Sequence, residues 1–423
     1  YYMVVDPGTY VLEWQYNNTV DHSDNYAYIE DLSITQNWTE VNITPGTLGI
    51  EILSKENVLQ DVEMLRVSGE MNADDWAIVK QLSNLYAIDL SDAIITEIPD
   101  YCFDGWSRMQ YIVLPDGIKR IGAYSFRNTQ IMELSIPSSL TSIGKYAFYG
   151  CANLLNVEIA DSSSLQTINS YAFHGCSGLN DIDFSGVTLL ETIGDYAFYE
   201  CRSLKEFIMP NSVTSLGSWA FRRCSSMTKM YFSDNLTYLP DYVCNECVSL
   251  KDVHIPNNLK YMYTGCLSVT AIERIVIPST VTTIDRYVFE DCNSLSYVEF
   301  PSYVSNSYSC ILQYCDNIDT IVCNSPTPPI VSDDILCYSD RAKNDITLIV
   351  PYFAINNYKL DPYWYQFGSI QAMNNVPKTW IIGNDMVFYN DTIINDKPNV
   401  EITWNSEKGG TFTVFGDKTF SMN

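Results

Sequence analysis

Leu204-Lys205-Glu206-Phe207-Ile208-Met209-Pro210-Asn211-Ser212-Val213-Thr214-Ser215-Leu216-Gly217-Ser218-Trp219-Ala220-Phe221-Arg222-Arg223-Cys224 is one unit of a pattern that the chain repeats almost verbatim. In its first half apolar and polar side chains alternate, as they do in a strand with one buried face. Pro210 has no N–H to give to a sheet ladder, so the strand ends in a turn there. Val213 to Leu216 forms a second, shorter extended piece, and Gly217 permits the corner after it. The stretch from Trp219 to Cys224 reads as a single helical or 3₁₀ turn. One coil is therefore strand, corner, short strand and helical turn.

The leading apolar position recurs at Leu85, Met109, Ile131, Leu154, Leu179, Leu204, Met227, Leu250, Ile272, Leu295 and Ile318, eleven starts at intervals of 22 to 25 residues. A unit this small cannot bury its apolar face alone and must stack on its neighbours, each coil adding a strand about 4.8 Å along an axis. The expected fold is an α/β, right-handed repeat solenoid with a curved parallel sheet, short strands and helical turns, flanked by small β-rich terminal segments. Residues 1–65 read as a β-rich N-terminal segment, with Tyr10 to Tyr16 alternating like a strand. Residues 66–84 read as a polar cap: Asn72 is a helix N-cap followed by the acidic first turn Asp74-Asp75. Residues 85–373 form the solenoid with a closing element. Asn374 to Pro377 reads as a linker, and within 374–423 Val400 to Trp404 and Thr411 to Phe415 around Gly409-Gly410 read as a hairpin. A tail of that size rarely folds alone, so it should pack on the last coil or begin something longer.

The coil resembles the BspA-like leucine-rich repeat family, whose units read Leu-x-x-Ile-x-Ile-Pro-x-x-Val-x-x-Ile-Gly-x-x-Ala-Phe-x-x-Cys. The likeness covers about Leu82 to Cys323 and is best over Leu134 to Cys151 and Ile275 to Cys292. Further on, Ile346 to Ile370 is similar to the element that closes many arrays of this family. The coils around Tyr263 to Leu267, without Ile-Gly, and Tyr303 to Cys315, with Ser307 for Ile, depart from it. The resemblance implies a bacterial protein, extracellular or on the outer cell surface, that adheres to host or bacterial proteins. It implies no shared catalytic residues and no cofactor.

Composition narrows the partner. With 51 acidic against 24 basic side chains the formal charge is −27, which argues against nucleic acid, since phosphates need Lys and Arg to neutralise them. No apolar run approaches the ~20 residues of a membrane span. The start at Tyr1-Tyr2 rather than Met suggests that a leader was removed.

The residues that could carry chemistry dissolve into the repeat. Cys151, Cys176, Cys201, Cys224, Cys247, Cys292 and Cys315 occupy one equivalent site per coil and should form a column of small buried thiols. Cys244-Asn-Glu-Cys247 looks like a redox or zinc motif, but Cys247 is the column cysteine and Cys244 replaces the repeat Phe. The three histidines, His22, His174 and His254, fall in no metal or nucleophile motif. Asp181 and Asp183 could be drawn as a glycosidase pair, yet two residues apart on a strand they share a solvent face. An enzyme is not expected. The aromatic stripe Tyr124, Tyr146, Tyr171, Tyr196, Trp219, Tyr242 and Tyr287 should pack between coils. The Asn-x-Thr sequons at Asn17, Asn37, Asn42, Asn235 and Asn390 read as chance in a bacterial protein.

What remains is the open face of the long strands. One column there runs Tyr111, Glu133, Asn156, Asp181, Glu206, Lys229, Asp252, Arg274, Tyr297; the next runs Val113, Ser135, Glu158, Asp183, Ile208, Tyr231, His254, Val276, Glu299. The expected ligand site on this concave face comprises the acids Glu133, Glu158, Asp181, Asp183 and Glu206 with Ile208, Tyr231 and Tyr297. Its expected ligand is a protein with a basic segment. The alternative is a carbohydrate-binding or structural surface protein, for which Trp14, Trp364 and Trp380 would supply aromatic platforms.

Overall fold

The structure, a computed structural model, describes residues 38–305 and 308–373, together with five short strands between Phe388 and Ser421. It is a parallel β-solenoid of about 14 turns, held by one continuous apolar core from Val41 to Phe367. The alternation read in the sequence sets the long strands: in Glu133–Ile136 the buried residues are Leu134 and Ile136, while Glu133 and Ser135 face solvent. The prolines end them as expected. The carbonyls of Pro115, Pro137, Pro210, Pro256 and Pro278 each accept a hydrogen bond from the N–H three residues on, closing a turn.

The short strands form their own ladder. A six-stranded parallel sheet runs from Glu97–Ile98 through Arg120–Ile121, Ser142–Ile143, Thr167–Ile168 and Thr192–Ile193 to Ser215–Leu216. At its corner the chains approach so closely that a Cβ on Gly217 would lie 2.2 Å from the Asp195 nitrogen of the preceding coil.

The helical turn expected at Tyr-Ala-Phe-x-x-Cys is a different object. Tyr124, Tyr146, Tyr171, Tyr196, Trp219, Tyr242 and Tyr287 all have φ between +52° and +64°, the left-handed region, so no helix can propagate. Alternate N–H groups close single turns, as Tyr149 to the Tyr146 carbonyl and Cys151 to that of Phe148, while those between bond to the following coil: the Phe126, Phe148, Phe173 and Phe198 N–H groups donate to Ala147, Ala172, Ala197 and Ala220 carbonyls, each at 2.8 Å. Most coils are thus bonded to their neighbours along three lines, and among the described residues helix is confined to short pieces near the ends, so the α part of the expected fold class is a minor addition.

The sheet runs past the expected boundaries. Strand β1 (Thr39–Ile43) pairs in parallel with β2 (Met64–Glu70), and β2 with β3 (Ala87–Asp89), so coils exist upstream of Leu85. Helix α2 (Ala73–Val79) is capped by Asn72 as expected, but it lies between β2 and β3, where later coils have their turn, rather than beyond the end of the stack. Fully buried Asp75 explains the arrangement: it accepts from the N–H groups of Gly46, Leu48 and Asn72, tying α2 to the start of α1 (Leu48–Leu53). At the other end the strands Thr320–Cys323, Thr347–Val350 and Ser369–Ala372 continue the sheet, and α3 (Ile355–Leu360) leads to Trp364. Val400–Thr403 pairs antiparallel with Thr411–Val414, and that strand with Lys418–Ser421. Tyr10 to Tyr16, Ser307 and the linker at Asn374 lie outside the described residues.

Candidate binding face

Parallel sheets are normally covered on both faces. Here the long-strand sheet packs one face on the core, and among the described residues no layer covers the other. Its side chains fall into the two columns expected: Glu133, Asn156 and Asp181 are paired in register, as are Ser135 and Glu158, Glu206 and Lys229, Ile208 and Tyr231, Tyr231 and His254, and Arg274 and Tyr297. The ladder is interrupted between Asp181–Ile182 and Glu206–Ile208, and again between Asp252–His254 and Arg274–Val276. The eight predicted site residues therefore lie on three separate ladders of one face.

Their electrostatics divide the face in two. Glu133, Glu158 and Asp181 are exposed and make no ion pair among the described residues. Glu206, expected to extend this acidic run, is instead paired with Lys229 at 3.5 Å. Asp183 is also not free: it accepts the Ser185 N–H at 2.8 Å and hydroxyl at 3.0 Å, closing the turn after its strand.

From Glu206 onward the basic residues Lys229 and Arg274 stand among the acids, and the surface becomes more apolar and aromatic. Ile208 is 61% exposed and Val276 49%. Tyr231 stacks on His254 at 5.6 Å and donates its hydroxyl to Asp252; the far edge of His254 meets Asp234 at 2.9 Å. The Arg274 guanidinium lies 3.4 Å from the centre of the Tyr297 ring, whose hydroxyl donates to Glu299 at 2.9 Å. Partial burial and that acceptor raise the Tyr297 pKa, so the phenol keeps its proton.

A second group on the same face was not anticipated. Arg66 is held by Glu40 at 2.7 Å and Asp89 at 2.9 Å and lies over Trp38, which meets Tyr111 edge-on. It belongs to β1 and β2, which lack the repeat's Pro and Ala-Phe signals, so only the pairing of Glu40, Arg66 and Asp89 in register could have exposed it.

The expected column cysteines are buried free thiols. Each thiol of Cys151, Cys176, Cys201, Cys224 and Cys247 donates to the carbonyl of Phe126, Phe148, Phe173, Phe198 and Phe221 in the coil before it. Where the column residue is Thr129 or Thr270, the hydroxyl donates to a carbonyl of its own coil. Burial pushes the Cys151 and Cys292 thiols up to about 11 and that of Cys102 to about 12, which leaves them protonated and poor nucleophiles. Cys244 and Cys247 are both fully buried free thiols. One disulfide, Cys310–Cys337, joins successive coils; neither partner is a column cysteine.

The aromatic stripe packs between coils, with ring centres 4.4 to 5.8 Å apart from Tyr101 to Tyr242. Beside it Tyr149, His174 and Tyr199 form a second stack at 4.6 Å. Trp364, named as a glycan platform, is fully buried against Tyr358 and Phe367 and donates to the Pro329 carbonyl, so it offers no surface. Trp14 and Trp380 lie outside the described residues. Among the described residues no group of three or more His, Cys, Asp or Glu is placed to hold a metal ion, and no helix is long and apolar enough to cross a membrane.

Residues 96–192, 167–294 and 260–333 match the family described as BspA type leucine rich repeat region, in six copies. No curated protein matches the chain. Among solved structures, a leucine rich cell surface protein from Faecalibacterium prausnitzii is 25% identical with a TM-score of 0.37; the match covers 60% of this chain and 66% of that one, just under two thirds. A leucine-rich repeat protein from Bacteroides ovatus is 20% identical with a TM-score of 0.42, covering 88% of this chain and 100% of that one. A leucine rich repeat protein of T. pallidum is 26% identical with a TM-score of 0.32, covering 50% and 78%.

Proposed function

We propose, from the premise that this chain belongs to the BspA-type leucine-rich repeat family, that it is a non-catalytic adhesion protein of the bacterial exterior that captures a host or bacterial protein on its open sheet face. The observation that carries the reading is the parallel sheet face that no described layer covers, with three carboxylates, Glu133, Glu158 and Asp181, that make no ion pair among the described residues, beside exposed Ile208 and Val276. A large open surface that combines unpaired charge with apolar contact area is the composition of a protein interface, whose charges steer encounter and whose apolar centre supplies affinity. The Cys310–Cys337 disulfide fits an oxidising, extracellular setting. Burial of Trp364 removes the one described aromatic on which a glycan reading leaned.

The test is capture of host extracellular-matrix proteins and of whole commensal bacteria by the full chain in low and high salt. A triple substitution, Glu133→Lys, Glu158→Lys and Asp181→Lys, is expected to abolish salt-sensitive capture. These three are better probes than Asp183 or Glu206, whose side chains also hold the fold locally. Equal capture by a folded triple variant rejects the face.

A further inference from the structure

The two halves of the sheet face differ enough to specify what lies across them. We infer that the face takes an extended peptide segment of about ten residues, polarised in composition, with Lys or Arg at one end against Glu133, Glu158 and Asp181 and aliphatic or aromatic side chains at the other against Ile208, Tyr231 and Val276. This deepens the proposed function and rests on it.

Three observations carry the step. First, cations stand among the acids on one half and not on the other. Lys229, Arg274 and His254 are each engaged by a neighbour on or beside the face, through Glu206, Tyr297 and Asp234 respectively. The three acids have no such neighbour among the described residues. A cationic segment therefore gains on the acidic half and gains little on the other.

Second, the apolar residues are not scattered. Ile208 and Tyr231 are register partners on adjacent strands, Tyr231 covers His254, and Val276 follows in the same column, giving a stripe that runs along the solenoid axis.

Third, the lengths agree. Seven strand steps separate the Glu133 strand from the Tyr297 strand, roughly 34 Å at ~4.8 Å per step. An extended chain covers that span in about ten residues. A helix would need about 23 residues at ~1.5 Å each and would present a cylinder to a two-column face.

The test is selection of a random twelve-residue display library on the immobilised full chain, followed by titration of the enriched peptides. Enriched sequences are expected to segregate Lys and Arg from apolar residues. An interleaved peptide of the same composition should bind about tenfold more weakly. Replacing Glu133, Glu158 and Asp181 by the isosteric Gln, Gln and Asn should weaken binding about fivefold to thirtyfold and flatten its salt dependence. Replacing Ile208 and Val276 by Ser should weaken binding about tenfold while leaving the salt dependence intact. Peptides that need the face but bind equally well when interleaved overturn the polarity and leave the proposed face standing. Peptides that bind all variants as they bind the native chain place binding elsewhere and overturn both.

Discussion

Cys201 tests how the coils are joined. Its thiol is fully buried and donates at 3.2 Å to the Phe173 carbonyl, which also accepts the Cys176 N–H at 3.1 Å. Cys201→Ala removes a sulfur whose burial is worth about 1 kcal/mol, by analogy with a methylene. It leaves a cavity costing about 0.5 kcal/mol more. It also strips one of two partners from a buried carbonyl, at the lower end of such losses, about 1 kcal/mol. The sum is about 2.5 kcal/mol. Cys201→Ser has nearly the volume of Ala but keeps a donor, so it should cost about 1.5 kcal/mol. A repeat protein of this length need not unfold in one step, so the readout is amide hydrogen exchange in the coils on either side of Cys201. The difference of about 1 kcal/mol makes those amides exchange about fivefold faster in the Ala variant than in the Ser variant. If Ser is as damaging as Ala, the thiol column is packing alone and the inter-coil hydrogen bond carries no stability.

Three further outcomes follow from the same geometry. Asp75→Ala should free the Gly46, Leu48 and Asn72 N–H groups and cost the N-terminal turns about 3 kcal/mol, seen as faster exchange in residues 39–79 while later coils stay protected. Burial between Tyr149 and Tyr199 lowers the His174 pKa, opposed by nearby Glu200. The unfolded chain therefore takes up that proton first, and stability should fall as pH drops below about 6.5 and level off once the folded state is also protonated. Subtracting the urea stability profile of His174→Phe from that of the native chain isolates this term, and a flat difference rejects it. At Tyr171, φ is +61° and the ring stacks on Tyr146 at 4.5 Å and Tyr196 at 4.6 Å. Tyr171→Ala loses the stack and keeps the strain, whereas Tyr171→Gly loses both, so Gly should be the more stable by about 1 kcal/mol in thermal unfolding.

Periodicity carried most of the fold because the solenoid repeats one local solution. The alternation around Leu134 and Ile136, the turn at Pro137 and the corner at Gly144 each have a local physical cause, and they recur. The pattern failed where that cause was replaced. β1 and β2 stack like the rest, but α1, α2 and buried Asp75 do there what Pro, Gly and Ala-Phe do elsewhere, so no repeat signal marks them. The left-handed tyrosines were also hidden, since Tyr has no intrinsic preference for that region and adopts it for the sake of stacking and inter-coil bonds.

For the face, column membership could be read from the strand period, but charge compensation could not. Glu133 and Glu206 are equivalent in sequence. Only the reach of Lys229 makes one paired and the other free. Likewise Asp183 looks like Asp181 until Ser185 turns back on it. The disulfide between Cys310 and Cys337 has no periodic signature because neither residue occupies the column site.

Carboxyl footprinting of the chain with and without its captured protein tests the central claim most directly, by measuring the labelling of each Asp and Glu. The account predicts that Glu133, Glu158 and Asp181 are protected together while exposed acids off the face, such as Asp116 and Glu191, label as before. Unchanged labelling of the three, with protection appearing elsewhere, would contradict it.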